Sequence, residues 1–247
     1  MDRKFIVIIG AILALLILSY PILAATFTVP ANEKSDDHRP TVIVEVGEGK
    51  DTGLIKVTQI HYAKSAGKAR PPATDPCYKL SGWKWTTPIK YTINTEDNLT
   101  FYNSIKAASS EWDSKTSKEL FSPSSNGATQ WSKYTDGKNS ILYGNYGTTG
   151  VIAVTRTWYN RATKTAVESD ILFDTDFDWG EATGNPDVMD LQNIATHEIG
   201  HTLGLSDVYT TSCTAVTMYG YSGNGDTEKR TLETPDIVGL LKIYPNL

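Results

Sequence analysis

Cysteine is scarce in this chain of 247 residues: there are two, Cys77 and Cys213, so one internal disulfide is the most the sequence can form. Basic patches are missing as well. The net charge is -5 and no stripe of lysine and arginine runs along any segment, which removes nucleic acid from the expected partners. No stretch repeats at a fixed period, so repeat arrays are set aside. Histidine is limited to His38, His61, His197 and His201. What the chain does have is an ordinary apolar share of 40%, enough for one sizeable domain with a real core.

Residues 5–25 form an uncharged apolar run behind the short basic start Met1-Asp2-Arg3-Lys4. This reads as an export signal. About 20 apolar residues would also span a bilayer as a helix, so a retained anchor stays open beside a cleaved signal peptide. Ala24-Ala25 offers small residues for cleavage, whereas Leu23 is bulky where a small one is preferred. Either reading places the remainder outside the cytoplasm, secreted or tethered to the outer face of the membrane. In an oxidising compartment Cys77 and Cys213 are expected to pair, the alternative being two unrelated buried thiols.

Residues 41–62 carry two strand patterns, with Val42, Val44 and Val46 alternating before a glycine turn and Leu54, Ile55, Val57 and Ile60 after it. Residues 63–73 are linker-like in composition. Residues 26–76 are therefore expected to be a pro-segment or small accessory region, and residues 77–247 the main domain. Within the latter, strands are expected at 89–93, 139–143, 151–159 and 165–173, the last two as a hairpin. An amphipathic helix is expected over 99–117. A second helix is expected from Asn185-Pro186-Asp187, with Asn as cap and Pro at the first position, to Leu203, where Gly204 can end it. A third follows Thr234-Pro235-Asp236. The fold class is α+β.

The second helix carries His197-Glu198-Ile199-Gly200-His201. Residues four apart on a helix point within about 40° of each other, so the two imidazoles can ligate one metal ion. Glu198 is turned from the pair yet near enough to act as general base toward water. By itself this motif also arises by coincidence. Its continuation, Thr202-Leu203-Gly204-Leu205-Ser206-Asp207, sharpens it: a glycine turn would carry Asp207 back toward the metal. Since His38 and His61 precede the linker, a third imidazole is not expected, and a carboxylate must complete the set. Glu228 and Glu233 compete with Asp207 for that place but lack the turn.

The stretch from His197 to Asp207 resembles the metzincin zinc signature, with Asp where most members have a third His. Thr217-Met218-Tyr219-Gly220 resembles the Met-turn, and residues 236–244 the C-terminal helix of matrixins. Gly150-Val151-Ile152-Ala153-Val154-Thr155 is similar to the edge strand above the matrixin cleft, and residues 168–174 to the strand after it. The chain is identified on these motifs as matrixin-like, of prokaryotic type. The resemblance implies a metzincin-like catalytic domain with a twisted mixed sheet, a long active-site helix, a Met-turn and a C-terminal helix. It implies one catalytic zinc held by His197, His201 and Asp207, Glu198 as general base, and Met218 as an apolar base under the metal. The backbone of Ile152 and Ala153 would take an extended peptide as an added strand, with Tyr219 or Tyr221 lining the specificity pocket.

Some features depart from the family. Leu172 stands where vertebrate matrixins carry a structural-zinc histidine, so no second zinc is expected, and the pro-segment lacks a clear cysteine switch. Asp174, Asp176 and Asp178 alternate as calcium ligands can, but Gly180 is one place late for an EF-hand and Asn185 stands where its bidentate Glu belongs. A solvated acidic turn is the alternative. The expected activity is that of a zinc metalloendopeptidase on protein or peptide substrates, acting as a monomer. The rival is a non-catalytic, membrane-anchored binding module that retains the zinc helix as scaffold.

Overall fold

The computed structural model describes residues 41–64, 76–95, 98–117 and 119–245. The apolar run 5–25, His38 and most of the linker lie outside them. Among the described residues no helix is long and apolar enough to cross a membrane.

The strands are β1 (Val42–Val46), β2 (Leu54–Ala63), β3 (Lys79–Leu80), β4 (Tyr91–Ile93), β5 (Ser125–Asn126), β6 (Asn139–Gly144), β7 (Val151–Asn160) and β8 (Ala166–Asp174). Four two-residue strands follow: β9 (Trp179–Gly180), β10 (Met189–Asp190), β11 (Leu205–Ser206) and β12 (Tyr221–Ser222). The helices are α1 (Leu99–Asp113), α2 (Leu191–Thr202) and α3 (Thr234–Ile243). The main sheet runs β1-β2-β7-β8-β6-β4-β5, with β12 paired to β2. It is mixed: β6 pairs parallel with both β8 and β4, while β7 is antiparallel to β8 and to β2. The class is α+β, as the sequence indicates.

Each strand's alternation selects its face. Ile141, Ile171, Phe173 and Ile152 turn toward the helices and join Phe101, Ile105, Trp112, Ile194 and Ile199 in one core. Trp112 on α1 also donates its indole N–H to the Thr196 carbonyl of α2, at 2.8 Å, pinning the two helices together. Packing of this kind supplies most of the stability of short helices.

One expectation changes. Helix α2 starts at Leu191, not at Asn185. Its cap is Asp190, whose carboxylate accepts the Asn193 amide at 2.8 Å. Asn185-Pro186 instead belongs to the turn before β10, so a good capping pair stands ahead of the helix without starting it. Strands β1 and β2 join the main sheet, with β2 paired to β7 from Leu54↔Asn160 to Tyr62↔Val151.

Candidate metal centre

Helix α2 presents His197 and His201 one turn apart, both fully buried, with ring centroids 4.6 Å apart. Each ring is oriented through Nδ1. That of His197 donates to the Thr217 carbonyl at 2.7 Å, and that of His201 to the Leu205 carbonyl at 3.0 Å. Fixing Nδ1 as donor leaves each Nε2 with its lone pair exposed on the same side. Burial, with the nearby Lys229 charge, lowers the His197 pKa to about 4, which keeps that ring neutral and fit to ligate.

The chain leaves α2 through Gly204, whose φ is +100°, a conformation that a β-carbon would strain. Strand β11 then pairs with β3 and delivers Asp207 to the two histidines. Its Oδ1 lies 3.1 Å from His197 Nε2 and 3.3 Å from His201 Nε2. Its Oδ2 accepts the Tyr209 hydroxyl at 2.9 Å. His197 Nε2, His201 Nε2 and Asp207 Oδ1 are buried without a hydrogen-bond partner. Three convergent, dry, unpartnered donor atoms of nitrogen and oxygen type are what a zinc ion requires, so the residues fit one. Glu228 and Glu233 take no part in this group.

Glu198 lies beside the three. Its Oε2 accepts the Thr155 hydroxyl at 2.6 Å, and burial pushes its pKa up to about 7. Beneath the site Met218 is fully buried, and its amide donates to Asp236 Oδ1 at 3.1 Å. The Thr217 amide donates to Oδ2 of the same carboxylate at 2.9 Å. Gly200 makes room for this floor, since a β-carbon there would collide with the Met218 sulfur and the Trp112 ring.

A model of the family described as matrixin matches residues 82–245. The chain belongs to the matrixin family. It is similar to karilysin from Tannerella forsythia, at 29% identity over 182 residues that cover 70% of this chain and 36% of karilysin. It thus spans little more than a third of that relative's length.

Strand β7, expected as a sheet edge, is covered by β2. Ala153 of β7, expected as an edge for peptide, pairs with His61 of β2, and Val151 pairs with Tyr62. Tyr221 of β12 pairs with Tyr62 too, on the side of β2 away from β7. Tyr209, Tyr219 and Tyr221 form an aromatic group there, with the Tyr221 centroid 5.1 Å from that of Tyr209 and 5.8 Å from that of Tyr219. Below it the buried Lys229 amine donates to the Tyr219 and Tyr221 carbonyls and to the Ser222 hydroxyl. Burial lowers the Lys229 pKa to about 8.

His61 corrects the expectation that no third imidazole reaches this region. It is fully buried, its ring centroid is 4.0 Å from that of His197, and its Nδ1 lies 3.2 Å from Glu198 Oε1. The linker separates His61 from the helix in sequence, but strand pairing crosses that distance. The signal in the residues is the alternation Gln59, His61, Ala63 against Ile60, Tyr62, which marks a strand with two distinct faces; its polar face reads as solvent-facing unless the partner is known. Nothing in the spacing of Thr155, Lys229 and Asp236 marks them as parts of the site.

The aspartates 174, 176 and 178 do not gather into a metal-binding group among the described residues. Asp174 instead accepts the amides of Tyr146 and Asp176, both at 2.9 Å, as an ordinary turn-closing carboxylate does. Cys77 and Cys213 are disulfide-bonded, tying the domain start to the loop beyond α2.

Proposed function

We propose that the chain is a zinc metalloendopeptidase in which His197, His201 and Asp207 hold the metal and Glu198 is the general base. The observation that carries this reading is the convergence of three buried, unpartnered ligand atoms beside an unligated, buried glutamate. When bound, zinc supplies Lewis-acid chemistry, polarising the scissile carbonyl and making water a better nucleophile.

The remaining work falls to side chains and backbone. Glu198 accepts the proton of the attacking water on a carboxylate oxygen and passes it to the leaving amine. Thr155 donates to Oε2 and so helps hold the carboxylate in one rotamer, while Oε1 lies 3.2 Å from His61 Nδ1. Thr217 and Leu205 carbonyls fix the histidine tautomers. Ile152 and Ala153 offer backbone groups to an extended peptide once that edge is free, and Tyr219 and Tyr221 border the side-chain pocket. Met218 supplies an apolar floor and no ligand atom.

The family implies protein or peptide substrates, and a place outside the cytoplasm follows from the apolar run 5–25, which we read as a signal peptide or an anchor. The disulfide agrees with an oxidising compartment. The test combines zinc content with casein hydrolysis, with and without chelator, for the wild type and Glu198→Ala. We expect one zinc per chain in both and a rate at least about a hundredfold lower in the variant. An unchanged rate in Glu198→Ala would sink the catalytic reading in favour of a zinc-bearing binding module.

A further inference from the structure

Asp207 differs from the two histidines beside it in having two ligand atoms to offer. An imidazole whose Nδ1 donates to a carbonyl, as in His197 and His201, presents one lone pair. A carboxylate can present either oxygen or both. Here the two oxygens have different surroundings. Oδ1 faces His197 Nε2 at 3.1 Å and His201 Nε2 at 3.3 Å, and it has no hydrogen-bond partner. Oδ2 accepts the Tyr209 hydroxyl at 2.9 Å. One phenol therefore decides which oxygen stays free.

Tyr209 is seated for this contact from several sides. Its chain neighbour Val208 is tied to the Met-turn: the Val208 amide donates to the Met218 carbonyl at 2.9 Å, and the Gly220 amide donates to the Val208 carbonyl at 3.0 Å. Tyr221 meets the Tyr209 ring edge-on, with centroids 5.1 Å apart. Gly220 leaves the slot that the ring fills. A β-carbon at that position would lie 2.3, 2.4 and 2.7 Å from Cε1, Cζ and the hydroxyl oxygen of Tyr209. The part of Tyr209 that needs a glycine at 220 is thus the hydroxyl end, the end that reaches Asp207. Hydrogen bonds to the outer atoms of metal ligands fix their orientation and tune their donor strength.

We propose that Tyr209 is the positioning residue of the aspartate ligand, with Gly220 as the gap that admits its ring. Tyr209 holds Oδ2, so Asp207 offers a metal ion one oxygen rather than two. By donating to Oδ2 it also draws charge from the carboxylate, which makes an anionic ligand a weaker donor and so closer to the neutral imidazole it stands in for. Both effects act the same way: a ligand place stays open for water or substrate, as a catalytic zinc requires. Tyr209 acts only through Asp207. The inference rests on the zinc-peptidase reading above.

Zinc competition and cobalt(II) absorption test this without turnover. The full chain, Tyr209→Phe, Gly220→Ala and the double variant are compared, with thermal melts to check that each is folded. Tyr209→Phe keeps the ring and its packing and loses only the donor. It is expected to bind zinc about 10–100-fold more weakly. Its bound cobalt should show weaker visible d–d bands, because a freed Oδ2 raises the coordination number and lowers their intensity; a change in packing alone leaves that intensity as it is. Gly220→Ala keeps the hydroxyl but pushes it from Oδ2, so it should show the same two changes. In the double variant the losses of zinc affinity should not add, since both substitutions remove one hydrogen bond. Wild-type zinc affinity in Tyr209→Phe, or weaker binding with unchanged cobalt bands, would overturn the proposal while leaving the peptidase reading intact. A wild-type chain that takes up neither ion would instead remove the metal site itself, and this inference with it.

Discussion

Asp236 is the residue on which the floor of the site should depend most. It is fully buried and accepts three amides: Thr217 at 2.9 Å, Met218 at 3.1 Å and Glu233 at 3.0 Å. Through the first two it fixes the Met-turn. Through the third it completes the capping box of α3, in which Glu233 and Asp236 each accept from the other's backbone. Replacement by alanine leaves these donors unpartnered in a region closed to water. Each orphaned amide costs roughly 1–3 kcal/mol. Since neighbouring amides relax together, a total of about 4 kcal/mol is expected, a large part of the roughly 5–15 kcal/mol that holds a typical domain folded. For a domain of this size that lowers the melting temperature by about 8–16 °C. The effect should reach the metal as well. The Thr217 peptide is held at its amide by Asp236 and orients His197 through its carbonyl at 2.7 Å. Loosening such an outer partner weakens metal binding by about 10–100-fold. Near-ultraviolet circular dichroism against temperature and zinc competition with a chromophoric chelator measure the two effects. Asp236→Asn keeps one carbonyl oxygen and should fall between wild type and alanine. A melting temperature within about 2 °C of wild type with unchanged zinc affinity would refute the role assigned to this carboxylate.

Three further outcomes follow from the same geometry. Gly204→Ala forces a β-carbon to 2.6 Å from the Trp83 carbonyl at a φ of +100°. The backbone strain alone costs about 1–3 kcal/mol, and the displaced turn should pull Asp207 from the histidines; wild-type zinc affinity in this variant would contradict it. Asp190 is pushed up by burial, but the Arg230 guanidinium and the amides of Ala182 and Asn193 outweigh that and hold it below the usual carboxylate range. A depressed folded pKa contributes stability above about pH 4 that is lost as pH falls through the folded value. Urea midpoints of the wild type should therefore drop more steeply below about pH 4 than those of Asp190→Asn, and parallel curves would count against this. Reducing the Cys77–Cys213 bridge opens a loop of 136 residues of sequence separation. The chain-entropy model gives about 5 kcal/mol for that loss, read as a lower urea midpoint in reductant; an unmoved midpoint would show that the bridge does not stabilise this fold.

The parts of the site that lie close together along the chain are legible from the residues alone. His197, Glu198 and His201 share one helix, and a single glycine turn brings Asp207 back, so local geometry determines their meeting. The hairpin of β7 and β8 and the start of α3 are readable for the same reason: alternation and capping are local signals. The start of α2 is misleading in sequence because Asn185-Pro186 carries a stronger local signature than Asp190, whose capping role is reinforced from afar by Arg230. Asp236 shows the same limit. Its spacing marks a helix start, and only the packing of α3 against the Met-turn gives its carboxylate a second task.

His61 marks where local reading ends, for a physical reason. A strand's register is set by its partner, and nothing between residues 54 and 63 names β7 as that partner. A linker composition argues for separation along the chain, but it gives no information about pairing once the ends are free to fold back. Closing a longer loop costs little more than closing a short one, because loop entropy grows only logarithmically with length. The eight register pairs from Leu54↔Asn160 to His61↔Ala153, together with Tyr62↔Val151, offset that cost through main-chain bonds and buried side chains. The hairpin therefore belongs where its edge and its apolar face are both satisfied. In this chain that place is the groove in front of Glu198, so the segment that reads as accessory in sequence meets the centre of the proposed chemistry in space.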